Sequence, residues 1–163
     1  MFEKILIPLD GSKISESALP YAEDLVSKLS PKAKIDVILV HILPKAHPVY
    51  TAGEIVPRVV YDEEHYEMAK KRAMEYLDNA GEGLRSRGAT VIPRVQIGDA
   101  SEGIIKIAEE TNADLIIMST HGRSGISRWA FGSVAEKVLH RKTKVPILIV
   151  KASSSPDVSG KSS

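Results

Sequence analysis

The chain has 163 residues, 43% hydrophobic and 26% charged, enough to bury one core and too few to favour a second domain. Lys and Arg number 22 against 21 Asp and Glu, so a net charge of +1 gives no electrostatic case for a nucleic-acid or anionic-membrane partner. The absence of cysteine excludes disulfides and thiolate chemistry, the first apolar run stops at Pro8 and Asp10, and no segment nears the roughly 20 apolar residues of a membrane helix, so a cytoplasmic protein is expected.

The first strand is expected at "KILIPL" (Lys4 to Leu9). A helix follows with Ala18, Leu19, Ala22, Leu25, Val26 and Leu29 on one face, Ser15 or Ser17 as its cap and Pro20 in its first turn. The second strand is "IDVILVHIL" (Ile35 to Leu43). Pro44 to Arg58 is unusually long for a connection and reads either as a lid or as a mobile surface loop. A long helix is expected over Asp62 to Ser86, with Ala69, Ala73, Tyr76, Leu77, Ala80 and Leu84 at helical spacing and Gly88 as its stop. "TVIPRVQI" (Thr90 to Ile97) is the third strand, and the helix after "GDAS" buries Ile104, Ile105 and Ala108. "DLIIM" (Asp114 to Met118) is the fourth strand, "VAEKVLHRK" the last helix and "VPILIV" (Val145 to Val150) the fifth strand. Residues 152–163, rich in serine, read as a disordered tail on a single domain of residues 1–151.

Strands that are apolar on both faces and alternate with helices predict a doubly wound α/β fold, with a parallel sheet covered on each side. Ligands of such sheets sit beyond the carboxyl ends of the strands, where the strand order reverses. That directs attention to "PLDGS", "HILPKAHP", "IGDAS" and "STHGRSG".

After the fourth strand, Gly122 and Gly125 permit tight turns, and Gly132 and Ser133 stand at the mouth of a helix whose free N–H groups suit an anion. Arg123 and Arg128 are placed to add charge to a phosphate. The same residues fit a ligand-free turn, since "SVAE" from Ser133 to Glu136 matches a capping box. His121 reads as a surface residue or as an acid–base group. His41, ending an apolar strand, reads as a structural histidine, and Asp10 as either a ligand carboxylate or a turn residue.

Taken together, "ILIPLDGS", "VHIL", "GDASEGI" and "STHGRSGISRWAFGSVAEKVLHRKTKVPILIVK" resemble the universal stress protein family from Met1 to about Lys151. The ATP-binding branch carries Gly-x2-Gly-x9-Gly-Ser/Thr; here Gly122, Gly132 and Ser133 match, while Ser119 stands where the signature has its first glycine. The resemblance implies strand order 3-2-1-4-5. It implies ATP, or AMP or ADP, with adenine against Pro8, Leu9, Asp10 and Ile42 and with ribose and first phosphate beside Met118, Ser119 and Gly122. The other phosphates would lie on His121, Gly122, Arg123, Ser124 and Gly125 and on Gly132, Ser133 and Val134, with Mg²⁺ or Mn²⁺ bridging phosphate oxygens and no protein metal site. It also implies a homodimer through the apolar edge strand Val145 to Val150 and a role in stress response or signalling.

No Gly-x4-Gly-Lys-Ser/Thr loop occurs, which excludes a fast P-loop NTPase, and no Ser-Gly-Gly-x-Asp-Ser loop or His-x-Gly-His motif supports an adenylating enzyme. The expected function is therefore a nucleotide-binding module that is at most a weak ATPase. The competing expectation is a nucleotide-free dimeric scaffold of the same fold, favoured by Ser119 and disfavoured by Gly122, Gly132 and Ser133.

Overall fold

Five parallel strands form the centre of the computed structural model, which describes residues 2–45, 48–51, 54–57, 63–120 and 132–152. They are β1 (Lys4–Pro8), β2 (Asp36–Pro44), β5 (Thr90–Gly98), β6 (Leu115–Thr120) and β7 (Ile147–Lys151), in the order β5-β2-β1-β6-β7. This is the expected 3-2-1-4-5 arrangement, with all four pairings parallel.

Alternation along the central strands divides the core in two. Ile5, Ile7, Val37, Leu39 and Ile117 join one cluster with α2 (Leu19–Leu29), α3 (Glu63–Ala80) and α4 (Glu82–Ser86), through Ala22, Val26, Leu77 and Leu84. Leu6, Ile38, Val40, Ile116 and Met118 join the other with α5 (Ala100–Glu110) and α6 (Ser133–His140), through Ile104, Ala108, Ala135 and Val138. Central strands buried on both faces explain why their sequences are continuously apolar.

Local departures from the sequence expectation have local causes. A short helix, α1 (Lys13–Glu16), precedes α2 and is capped by Ser12, whose Oγ accepts from the Ser15 amide at 3.1 Å. α2 has no capping side chain at Ala18, so neither Ser15 nor Ser17 serves it, although Pro20 sits in its first turn as expected. The single helix expected to Ser86 breaks at Gly81, where a Cβ would come within 2.7 Å of Val91 Cγ1. Glycine there lets the α3–α4 junction press onto β5. Gly88, at φ +95°, then ends α4 as expected.

Within the Pro44 to Arg58 connection, an antiparallel hairpin forms from β3 (Pro48–Thr51) and β4 (Glu54–Pro57), apart from the main sheet. β6 runs two residues past Met118 and so carries Ser119 within the strand. β7 starts at Ile147 instead of Val145, with the Pro146 carbonyl already accepting from the Ile116 amide at 2.9 Å. At its far end Ala152, which the sequence reading assigns to the tail, is buried and donates to the Thr120 carbonyl at 3.1 Å. Residues 153–163 lie outside the described residues.

Candidate functional site

The strand order reverses between β1 and β6, and beyond their carboxyl ends lies a cavity of about 280 Å³. Nine of the residues expected there line it: Pro8, Leu9 and Asp10 at the end of β1, Ile42 on β2, Met118 and Ser119 on β6, and Gly132, Ser133 and Val134 at the start of α6. The other five, His121, Gly122, Arg123, Ser124 and Gly125, lie outside the described residues, as does Arg128.

Sequence reasoning missed Ile14 and Ser15 on α1, Val40 on β2, Ile104 on α5 and Ala135 on α6, which line the same cavity, while Ser12 and Ala100 lie in the loops "PLDGS" and "IGDAS" to which it pointed without naming them as ligand contacts. Two of these were accessible from periodicity. Val40 shares a strand face with Ile42, and Ile104 lies one helical turn beyond Ala100. The α1 residues were hidden because "DGSKISES" reads as a turn entering a single helix.

The β1–α1 loop is held by its own side chains. Asp10 accepts from the Ser12 amide at 2.9 Å, and Ser15 Oγ accepts from the Asp10 amide at 3.2 Å while donating to the Ser12 carbonyl at 2.9 Å. Partial burial pushes the Asp10 carboxyl up, but the hydrogen bonds from Ser12 and Ser15 outweigh it and hold the group below the ordinary carboxylate value. Asp10 is therefore ionised at neutral pH. Gly11, at φ +85°, makes the turn that a side chain would resist.

Behind the loop, His41 Nδ1 lies 2.9 Å from the Leu9 carbonyl. A carbonyl can only accept, so Nδ1 carries the proton. The ring meets Tyr76 edge-on, at 6.2 Å between centroids, and Tyr76 donates to Glu16 Oε1 at 2.9 Å. Burial and the neighbouring Glu16 carboxylate raise the Tyr76 phenol well above its usual value, so it stays a donor. His41 is thus structural, as expected, and fixes the backbone that carries Asp10.

Ser119, in place of the signature's first glycine, donates from Oγ to the Ile14 carbonyl. This bond joins β6 to α1 across the crevice, between residues 105 apart in the chain.

At the opposite wall, α6 has Gly132 as its N-cap and Ser133 as its first helical residue. The Ser133–Glu136 capping box is accordingly not formed, since Gly132 offers no capping side chain and the first intrahelical bond runs from the Glu136 amide to the Gly132 carbonyl. The helix supplies no carbonyl for the amides of Ser133, Val134 and Ala135, which border the cavity. Gly132 has φ −55°, a conformation open to any residue, so only close approach, and not a left-handed turn, gives glycine an advantage there.

α6 is anchored at its other end. Arg141 donates from Nε to Ser101 Oγ at 3.1 Å, and Ser101, itself buried, donates to the Asp99 carboxylate that caps α5. The hydroxyl of Ser101 and the amide of Glu102, helped by the nearby cations Lys137 and Arg141, hold the Asp99 carboxyl below its ordinary value. Among the described residues no group of three or more His, Asp and Glu side chains is placed to hold a metal ion.

The universal stress protein family model matches residues 1–151, which span every element of the fold. The chain belongs to the universal stress protein family. Universal stress protein MJ0577 of Methanocaldococcus jannaschii is 30% identical, the alignment covering 95% of this chain and 98% of that protein. Its solved structure superposes with a TM-score of 0.71 over 95% of this chain and 99% of that one. Two further universal stress proteins, one solved in complex with cAMP and one from Archaeoglobus fulgidus in complex with dAMP, share the fold at 22% identity and TM-scores of 0.58. The first aligns over 93% of this chain and 98% of its own, the second over 91% and 97%. This chain departs from the family's ATP-binding signature at Ser119, and the departure forms a bridge inside the crevice.

Proposed function

We propose that this universal stress protein binds ATP, or the related AMP or ADP, in the crevice between β1 and β6, and acts as a stress-response or signalling module of the cytoplasm. One observation carries the reading: residues from four separate stretches of chain, each expected to touch an adenine nucleotide, converge on one cavity.

Its chemistry suits the ligand. Leu9, Ile42, Ile104 and Met118 offer an apolar surface for a flat base, and the amides of the first turn of α6, which have no acceptor within the helix, suit a phosphate. The cAMP and dAMP complexes of relatives with this fold support an adenine ligand. Mg²⁺ or Mn²⁺ is assigned to phosphate oxygens and not to protein side chains. Hydrolysis is slow or absent, because the sequence from Ser119 to Val134 contains no carboxylate or glutamine to orient a water. The outer edge of β7, last in the order of the main sheet among the described residues, is assigned to a homodimer.

Purified protein is denatured and its supernatant analysed by mass, and calorimetry with ATP and Mg²⁺ follows on protein stripped of nucleotide. An adenine nucleotide at up to one per chain, or saturable heat, supports the reading. Protein that is empty and silent in calorimetry makes it a nucleotide-free scaffold.

A further inference from the structure

Ser119 sits among lining residues of the crevice that are rich in hydrogen-bond acceptors. Because a carbonyl has no proton, the Ser119 hydroxyl must donate to the Ile14 carbonyl, and its oxygen faces any occupant with lone pairs only. Ser15 has spent its proton in the same way, on the Ser12 carbonyl. Ser12 Oγ accepts from the Ser15 amide and keeps its own proton uncommitted among the described residues, so the β6–α1 wall also holds one hydroxyl donor beside the acceptors. Asp10, ionised, adds carboxylate oxygens. α6, which also lines the cavity, begins with Ser133, Val134 and Ala135, whose amides have no carbonyl acceptor within the helix.

A ligand that satisfies both walls is donor at one end and anionic at the other. Phosphate on the β6–α1 wall would meet the Asp10 carboxylate and the lone pairs of Ser119; on the α6 wall it would meet N–H groups. A sugar phosphate divides in this sense, with its hydroxyls toward Asp10 and Ser119 and its phosphate toward α6.

We infer that Ser119 is a specificity-determining residue that accepts a hydrogen bond from a sugar hydroxyl of the bound nucleotide, its own proton being fixed by Ile14. The inference rests on the adenine-nucleotide reading above. A glycine at 119 has no side-chain acceptor to offer, so the discrimination belongs to the serine.

The test is a comparison of ATP, 2′-deoxyATP and 3′-deoxyATP by calorimetry with the wild type, Ser119→Ala and Ser119→Thr. The wild type and Ser119→Thr, which keep the oxygen, should bind ATP about fivefold more tightly than at least one deoxynucleotide, the worth of one net hydrogen bond. In Ser119→Ala that ratio should collapse toward one. Loss of the bridge to Ile14 in this variant alters all three affinities together and leaves the ratio unaffected, which separates hydroxyl reading from a structural role. Equal binding of the three ligands by the wild type, or a ratio unchanged in Ser119→Ala, overturns the inference while leaving nucleotide binding intact. A wild type that binds none of the three overturns the nucleotide reading, and the inference with it.

Discussion

Replacing His41 by leucine removes the donor to the Leu9 carbonyl while filling much of the same space. Leu9 is buried at 3% exposure, so its orphaned carbonyl finds little water. A buried acceptor left unsatisfied costs about 1–3 kcal/mol, which for a domain of this size lowers Tm by roughly 2–12 °C. His41→Asn is the informative partner, because an asparagine amide places an N–H close to where Nδ1 lies but lacks the ring that meets Tyr76. It should retain the hydrogen bond and lose only the edge contact, worth about 0.5–1.5 kcal/mol. The expected order of stability is wild type, His41→Asn, His41→Leu, and ATP affinity should follow the same order because Leu9 and Asp10 line the cavity. Urea melts with calorimetry on the three proteins check both series. If His41→Asn is as damaged as His41→Leu, the bond to Leu9 is not what holds the loop.

Three further expectations concern the solution behaviour of the protein. Asp10, Asp99 and Asp114 have carboxyls held below their ordinary value, Asp114 by the amides of Glu3 and Lys4, so the folded chain binds their protons less readily than the unfolded chain. Their contribution is complete above about pH 5 and is lost as pH falls through about 4 and below; Asp99→Asn with Asp114→Asn should flatten the acid limb of a stability profile, and an unchanged limb contradicts the assignment. Leu148→Lys should convert the proposed β7 dimer to a monomer in sedimentation without changing circular dichroism, because Leu148 is 43% exposed whereas Ile147 and Ile149 pack against the α5–α6 core. A wild type that is monomeric at tens of micromolar removes the dimer. ATPase turnover should fall well below the roughly 10 s⁻¹ median of enzymes, and a single-turnover rate above about 1 s⁻¹ that collapses in His121→Ala would make the protein an enzyme.

The parallel sheet was legible because burial on both faces leaves a clear record, since Ile5, Leu6 and Ile7 must all be apolar when helices cover each side, whereas the strand order followed only from the family resemblance. The site was legible where strand ends and glycines mark it, from Pro8 to Asp10 and from Gly132 to Val134. What escaped depended on contacts between distant segments. Gly81 breaks a helix of good periodicity because Val91, on another element, needs the space. Ser133 stands in a capping-box pattern, yet the helix counts it as its first residue, a shift of one position that spacing alone does not resolve. Ser119 read as a departure that favours the nucleotide-free scaffold, and only the proximity of Ile14 shows that its hydroxyl has a partner within the fold.

The position of β1 at the middle of the sheet also governs when the crevice can exist during synthesis. Ile5 pairs with Val37, 32 residues onward, but its other edge waits for Leu115, 110 residues onward. Closing the longer span costs roughly 1 kcal/mol more chain entropy, a small difference in equilibrium. Its larger effect is on order. On the ribosome, β1, β2 and β5 are available to pair while one side of β1 still faces solvent, and the bridge from Ser119 to Ile14 forms only after most of the chain has emerged. Capture of the proposed ligand is thereby tied to completion, and a chain terminated before β6 has a half-sheet with no crevice to fill.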